Sequence, residues 1–263
     1  VLSITTDYAK DTGDPSPYLK HIAETGFSHI HWCHQWNTDF LYSKWEIEQI
    51  RKWLTEYGLQ LLDLHGSAGN EKDWASSEEY RRLAGVELVR NRIEMTAQLS
   101  AAVVIMHVPH DPASVTIRRS LDQLEPFARG HNVRIAIENG GFEAIAQLLS
   151  EYDPQYLGLC YDCGHGNIAG AAGLDHLESL KERLISVHLH DNDGTGDQHQ
   201  LLFMGTVDWK RLARIMAESA YTKCVSMEVS VRRSGIEDEM AFLKQAFETG
   251  TAFSRMIKES KRT

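Results

Sequence analysis

Glu138, Asp162, His188 and Glu228 each close an apolar run. The runs read Arg134-Ile-Ala-Ile-Glu138, Leu157-Gly-Leu-Cys-Tyr-Asp162, Leu184-Ile-Ser-Val-His188 and Cys224-Val-Ser-Met-Glu228. Three carboxylates and one imidazole form an oxygen-rich donor set, which suits a divalent ion with positions left for substrate oxygens. Such an ion polarises a carbonyl group, and the carboxylates beside it can carry protons to and from carbon. These residues are far apart in sequence. They converge only if their runs are neighbouring parallel strands whose downstream ends share one face.

Histidine is the second signal, with thirteen in the chain. His65 ends the third apolar run and His107 the fourth, while His165 follows Asp162 by three residues. His188 and His190 bracket the end of the seventh run, and His199 lies in the loop beyond it. Any one of these, taken singly, reads as a satisfied core or loop histidine. Their common placement after strands points instead to one functional face. His21, His29, His131 and His176 fall in helices, turns or strand beginnings and are read as structural.

The elements that must position these groups follow from periodicity. Eight strand-like runs are expected, near 2–6, 28–33, 59–65, 103–108, 134–139, 157–162, 184–190 and 223–229. Most are short apolar runs rather than alternating ones, as expected of strands covered on both faces. Between them lie helical patterns. Ser43 to Tyr57 carries an apolar stripe of Trp45, Ile47, Ile50, Trp53 and Leu54; Glu78 to Leu99 carries Leu83, Val86, Val89, Ile93 and Ala97. Gly26, Gly58 and Gly130 sit where C-terminal caps are needed, and Asp208 is placed to cap a helix over Trp209 to Ser219. The pattern predicts one (β/α)8 TIM barrel spanning 1–263, with an open doubly wound sheet as the alternative.

Length agrees, since 263 residues is close to the roughly 250 of such a barrel. A formal charge of −10 opposes an extended duplex-DNA surface, which needs a clustered basic face. Neither a secretory leader nor an apolar run long enough to span a bilayer is evident, so no membrane partner and a cytoplasmic location are expected. Of the four cysteines, Cys160 and Cys163 have a C-x-x-C spacing, but Asp162 lies between them at a strand end. A redox or thiolate-zinc motif needs a helix start or a second pair, so buried packing is the expectation for most of the cysteines.

The strings Asp162-Cys-Gly-His165, His188-Leu-His-Asp191, Asp197-Gln-His199 and Met227-Glu-Val229 resemble the xylose-isomerase-like TIM-barrel superfamily. The resemblance runs from about the third strand to the eighth. That superfamily contains sugar-phosphate isomerases and epimerases, ketose 3-epimerases, inosose and dehydroshikimate dehydratases, and apurinic endonucleases of the endonuclease IV type. The epimerase branch implies one divalent ion (Mn²⁺, Mg²⁺ or Co²⁺, with Zn²⁺ also acceptable) on Glu138, Asp162, His188 and Glu228. Glu138 and Glu228 would be the proton-carrying pair in carbohydrate isomerisation or epimerisation through an enediolate. His65, His107 and His165 would contact the substrate, with Trp32 and Trp36 as an aromatic wall; simple packing of their loop is the competing reading.

The endonuclease branch implies three zinc ions on nine residues: His65, His107, Glu138, Asp162, His165, His188, Asp197, His199 and Glu228. Asp197 and His199 are thus possible additional ligands. The negative charge and the lack of a basic stripe oppose that reading, leaving no nucleic-acid partner expected. The stretch Gly66-Ser-Ala-Gly-Asn-Glu-Lys-Asp-Trp74 reads as a lid over a small molecule.

Two departures from the ketose 3-epimerase pattern stand out. The segment from Asp191 to Val207 has no arginine or lysine, and a Gly-x-Gly is replaced by Gly205-Thr-Val207. Both leave room for a dehydratase, which would use the same enolate chemistry with loss of hydroxide. Phosphate recognition is not evident: Gly140-Gly141 reads as a tight turn, and Lys72, Arg118 and Arg119 are the nearest basic candidates. The resemblance leaves a homo-oligomer open, with no interface stripe in the sequence.

Overall fold

Short aliphatic and β-branched runs become strands here because helices cover one face and the barrel interior the other. The computed structural model describes residues 1–36, 41–66, 72–109, 111 and 114–261. Among these, eight strands form: β1 (Leu2–Thr5), β2 (His29–Trp32), β3 (Gln60–His65), β4 (Val103–Met106), β5 (Arg134–Glu138), β6 (Leu157–Asp162), β7 (Leu184–His188) and β8 (Val225–Met227). Every pairing from β1 to β7 is parallel, and β8 returns to pair in parallel with β1. The ring closes between β7 and β8, where Leu189 N donates to Ser226 O at 3.0 Å and Glu228 N donates to Leu189 O at 3.1 Å. The chain is therefore a TIM barrel, not an open doubly wound sheet.

The helices are α1 (Ser16–Glu24), α2 (Lys44–Tyr57), α3 (Glu79–Gln98), α4 (Val115–Gly130), α5 (Phe142–Glu151), α6 (Cys163–Ile168), α7 (Ala171–Leu180), α8 (Trp209–Glu218) and α9 (Glu239–Ser260). A capping box opens α2: Ser43 Oγ accepts from Glu46 N, and Glu46 Oε2 accepts from Ser43 N. Gly58, at φ +66°, closes it. Asp208 caps α8 by accepting from Arg211 N at 3.0 Å.

Three local expectations differ from what forms. Trp45 is 71% exposed, because it lies nearly opposite the buried stripe of Ile47, Ile50 and Leu54 on α2. Leu83 likewise stands at the rim of α3, while Val86, Val89 and Ile93 are buried. Gly130 is the last residue of α4 rather than its cap; the left-handed turn falls on Asn132, at φ 55°. Asparagine tolerates that region better than most side chains, and the helical hydrogen bonding carries on to His131.

The barrel interior is partly polar. Ser186 on β7 donates its hydroxyl to Asp63 Oδ2 on β3, and His31 on β2 lies 2.8 Å from Asp63 Oδ1. β3 and β7 are not neighbours, so that bond spans the lumen. Elsewhere Val103, Ile105, Ala136, Cys160 and Ile185 form a separate apolar cluster. Among the described residues no helix is long and apolar enough to cross a membrane.

Candidate metal centre

Parallel strands present all their C-terminal ends at one mouth, and register decides which residues meet there. Glu138, Asp162 and His188 are the last residues of β5, β6 and β7, with Glu138 paired to Cys160 and Asp162 paired to His188. Glu228 follows β8 directly. One donor atom from each of these four lies within 4.8 Å of the others.

His188 is the hub. Its Nδ1 is 3.1 Å from Glu228 Oε2, 3.4 Å from Glu138 Oε2 and 3.9 Å from Asp162 Oδ2. Its side chain is 1% exposed, yet neither ring nitrogen is hydrogen-bonded. A buried imidazole that makes no well-directed hydrogen bond is costly, and three carboxylates around it repel one another. A divalent cation answers both problems, so the donor set fits one.

Glu138 is enclosed by imidazoles. Its Oε2 lies 3.0 Å from His107 Nε2 and 3.3 Å from His65 Nε2, and its Oε1 lies 3.4 Å from His165 Nδ1. Burial pushes its carboxyl upward, but His188, His107 and His65 outweigh that and hold it well below the usual carboxylate range. Glu228 behaves alike: burial raises it, and His188 and His199 pull it below its ordinary value. Both shifts favour the carboxylate form.

Asp162 is gripped from behind. Its Oδ1 accepts from His165 N at 2.8 Å, and both its oxygens lie 3.1 Å from His190 Nε2. Asn139 spans β5 and β6, donating Nδ2 to Asp162 O at 2.9 Å.

The long loop after β7 adds Asp197 and His199. His199 Nε2 is 3.0 Å from Asp197 Oδ2, and its Nδ1 is 2.8 Å from Glu228 O. Asp197 Oδ2 also lies 3.6 Å from His165 Nε2, and Oδ1 lies 3.5 Å from His190 Nε2. Burial opposes charge on His165, yet Asp197, Asp162 and Glu138 push it up to about 10. Asp191 fixes the loop's return by accepting from Val207 N at 3.1 Å and from Trp209 Nε1 at 2.8 Å.

A family model described as the xylose isomerase-like TIM barrel matches residues 19–246. The chain belongs to that family. An uncharacterised protein of Sinorhizobium fredii is 30% identical over 91% of this chain and 88% of its own length. A probable endonuclease 4 of Thermoplasma acidophilum is 24% identical over 75% of this chain and 77% of its own. Among solved structures, a D-tagatose 3-epimerase-like protein superposes with a TM-score of 0.79 at 20% identity, covering 98% of each chain.

Within this xylose isomerase-like barrel the other candidates are placed as follows. Trp32 is 1% exposed, donates Nε1 to Tyr42 OH at 3.1 Å, and borders a cavity shared with His65. Trp36 packs on Trp53 at 5.0 Å. Arg118 is taken up by Glu151 at 2.7 Å and Arg119 by Glu79 at 3.1 Å. The central residues of the expected lid, 67–71, lie outside the described residues. His21 pairs with Glu239 at 2.7 Å, and His176 stacks on Phe142 at 4.4 Å, and neither belongs to the four-ligand set.

Other residues at the site are less evident from sequence. Asn139, His31 and Asp63 are buried polar groups supporting the mouth, beside His190. A signal for Asp63 does exist: it interrupts the apolar stretch Leu61-Leu62-Asp63-Leu64, where a carboxyl has no solvent to face.

Proposed function

We propose that the chain is a divalent-metal-dependent isomerase or epimerase acting on a sugar or polyol-type ketose through an enediolate. The observation that carries this reading is the approach of Glu138 and Glu228, from non-adjacent strands, to one buried imidazole, His188. A divalent ion on Glu138, Asp162, His188 and Glu228 would polarise the substrate carbonyl and lower the cost of the enediolate.

The rest is the work of the chain's own side chains. The imidazoles around Glu138 and Glu228 favour their carboxylate forms, so either can take the proton from the carbon beside the carbonyl. Return of a proton by the other carboxyl inverts that carbon, which is epimerisation; delivery to the neighbouring carbon is isomerisation. His107 lies 3.0 Å from Glu138 Oε2, and its side chain is 57% exposed, so it connects Glu138 to solvent for proton exchange. His165, kept protonated by Asp197, can donate to a sugar oxygen. Arg118 and Arg119 are engaged in ion pairs, and the Asp191–Val207 segment carries no arginine or lysine, which favours an unphosphorylated substrate.

Oxygen-rich ligation favours Mn²⁺, Mg²⁺ or Co²⁺. Titration of chelator-stripped protein with Mn²⁺, followed by electron paramagnetic resonance, tests the site. One bound Mn²⁺ per chain, lost in Asp162→Asn, is expected; no bound Mn²⁺ would sink the assignment.

A second reading has its own observation. His65, His107, Glu138, Asp162, His165, His188, Asp197, His199 and Glu228 are joined without a break by contacts of 3.9 Å or less. That continuity also suits a trinuclear zinc centre for phosphodiester cleavage. The discriminating residue is Asp197.

A further inference from the structure

Behind the four-ligand set, on the β1–β2 side, lies a buried group that the proposed reaction does not use. His31 is fully buried in β2, with Nδ1 2.8 Å from Asp63 Oδ1. Asp63 is itself fully buried and takes the Ser186 hydroxyl on its other oxygen. A carboxylate against Nδ1 fixes the proton there and leaves a lone pair on Nε2, the arrangement that orients a metal-binding histidine. His31 Nε2 has no hydrogen-bond partner.

Donor atoms of His31, Cys33 and Glu228 lie within 4.8 Å of one another. The backbone holds them there: Cys33 N donates to Thr6 Oγ1 at 3.0 Å, and Thr6 N donates to His31 O at 3.0 Å. The Asp7 carboxyl lines the same cavity as Cys33 and lies close enough to Glu228 for their charges to repel. An unpartnered imidazole lone pair beside a thiol and two carboxyls is a costly arrangement unless a cation completes it.

We propose that His31 Nε2, Cys33 Sγ and a Glu228 oxygen form a second metal site, beside the four-ligand centre and sharing Glu228 with it. Imidazole, thiolate and carboxylate together suit a borderline-soft ion such as Zn²⁺, unlike the oxygen-rich neighbour. Binding forms a sulfur–metal bond and releases the thiol proton to solvent. A cavity of about 270 Å³, lined in part by Asp7, Trp32, Cys33 and His65, gives access.

Titration of the chelator-stripped full chain with Co²⁺ tests the site, because a cobalt–thiolate bond gives a charge-transfer band. Two Co²⁺ per chain with that band are expected, falling to one Co²⁺ without the band in Cys33→Ser. Asp63→Asn keeps all three donors and should weaken the band-forming site about 10–100-fold. One Co²⁺ without a band overturns the second site and leaves the first standing. One Co²⁺ with a band that Cys33→Ser removes supports the second site and removes the first. A band that survives in Cys33→Ser assigns the thiolate elsewhere and overturns the proposal, and no Co²⁺ at all overturns both sites.

Discussion

Gly164 leaves the space that the His190 ring fills: a Cβ at position 164 would stand 1.9 Å from His190 Cε1. That ring is what holds both oxygens of Asp162, at 3.1 Å each. The glycine in Asp162-Cys-Gly-His165 is therefore a clearance for a supporting histidine. Gly164→Ala should displace His190 and cut Mn²⁺ affinity about 10–100-fold, the usual cost of losing an outer partner of a ligand. Calorimetric titration measures this, and an unchanged affinity would show that His190 does not position Asp162.

Glu138 and Glu228 differ in surroundings but share a role. Glutamine at either position keeps the shape and removes the base, so turnover should fall about 10²–10⁴-fold for each single variant. Circular dichroism should be unchanged. Near-normal turnover in either variant would remove that residue from the proton path.

Asp197 separates one ion from three. In the single-ion account it holds His165 and His199 from outside, so Asp197→Ala should lower turnover modestly and leave Mn²⁺ bound. Its loss should also let the His165 pKa drop from about 10, because Asp197 is the largest of the groups raising it. Co-purification of three zinc ions per chain, with loss of zinc and of phosphodiester cleavage in the variant, would favour the trinuclear reading.

His176, which is not among the four ligands, gives a pH dependence of stability. Burial lowers its pKa from 6.5 to about 4, so the folded chain keeps it neutral while the unfolded chain takes up a proton. Its contribution is complete above about pH 6.5 and is lost as pH falls from there towards 4. His176→Phe, beside Phe142, should flatten that part of the urea-midpoint profile between pH 7 and 4.5 relative to the parent chain. Identical slopes in both proteins would contradict this.

The barrel and the convergence of Glu138, Asp162, His188 and Glu228 were legible because strand ends in parallel sheets must share a face. The supporting layer was harder to read. Asp63 meets Ser186 only through barrel closure, which no local pattern encodes. His190 was visible as one of the strand-seven histidines, yet its hold on Asp162 depends on the space left by Gly164. Trp45 was misplaced because an apolar side chain in the first turn of α2 fits a loose stripe while facing outward. Gly130 was misplaced because Asn132 can also take the left-handed turn.

The central claim is proton transfer at carbon by Glu138 and Glu228. Its most direct test is to incubate the Mn²⁺-loaded protein with a panel of unphosphorylated ketoses and inososes in D₂O and follow deuterium by NMR. The account predicts deuterium at the carbon beside the carbonyl of at least one sugar, reduced about 100-fold or more in Glu138→Gln and Glu228→Gln. Deuterium incorporation that persists undiminished in both variants, or no incorporation into any sugar by the metal-loaded protein, would contradict it.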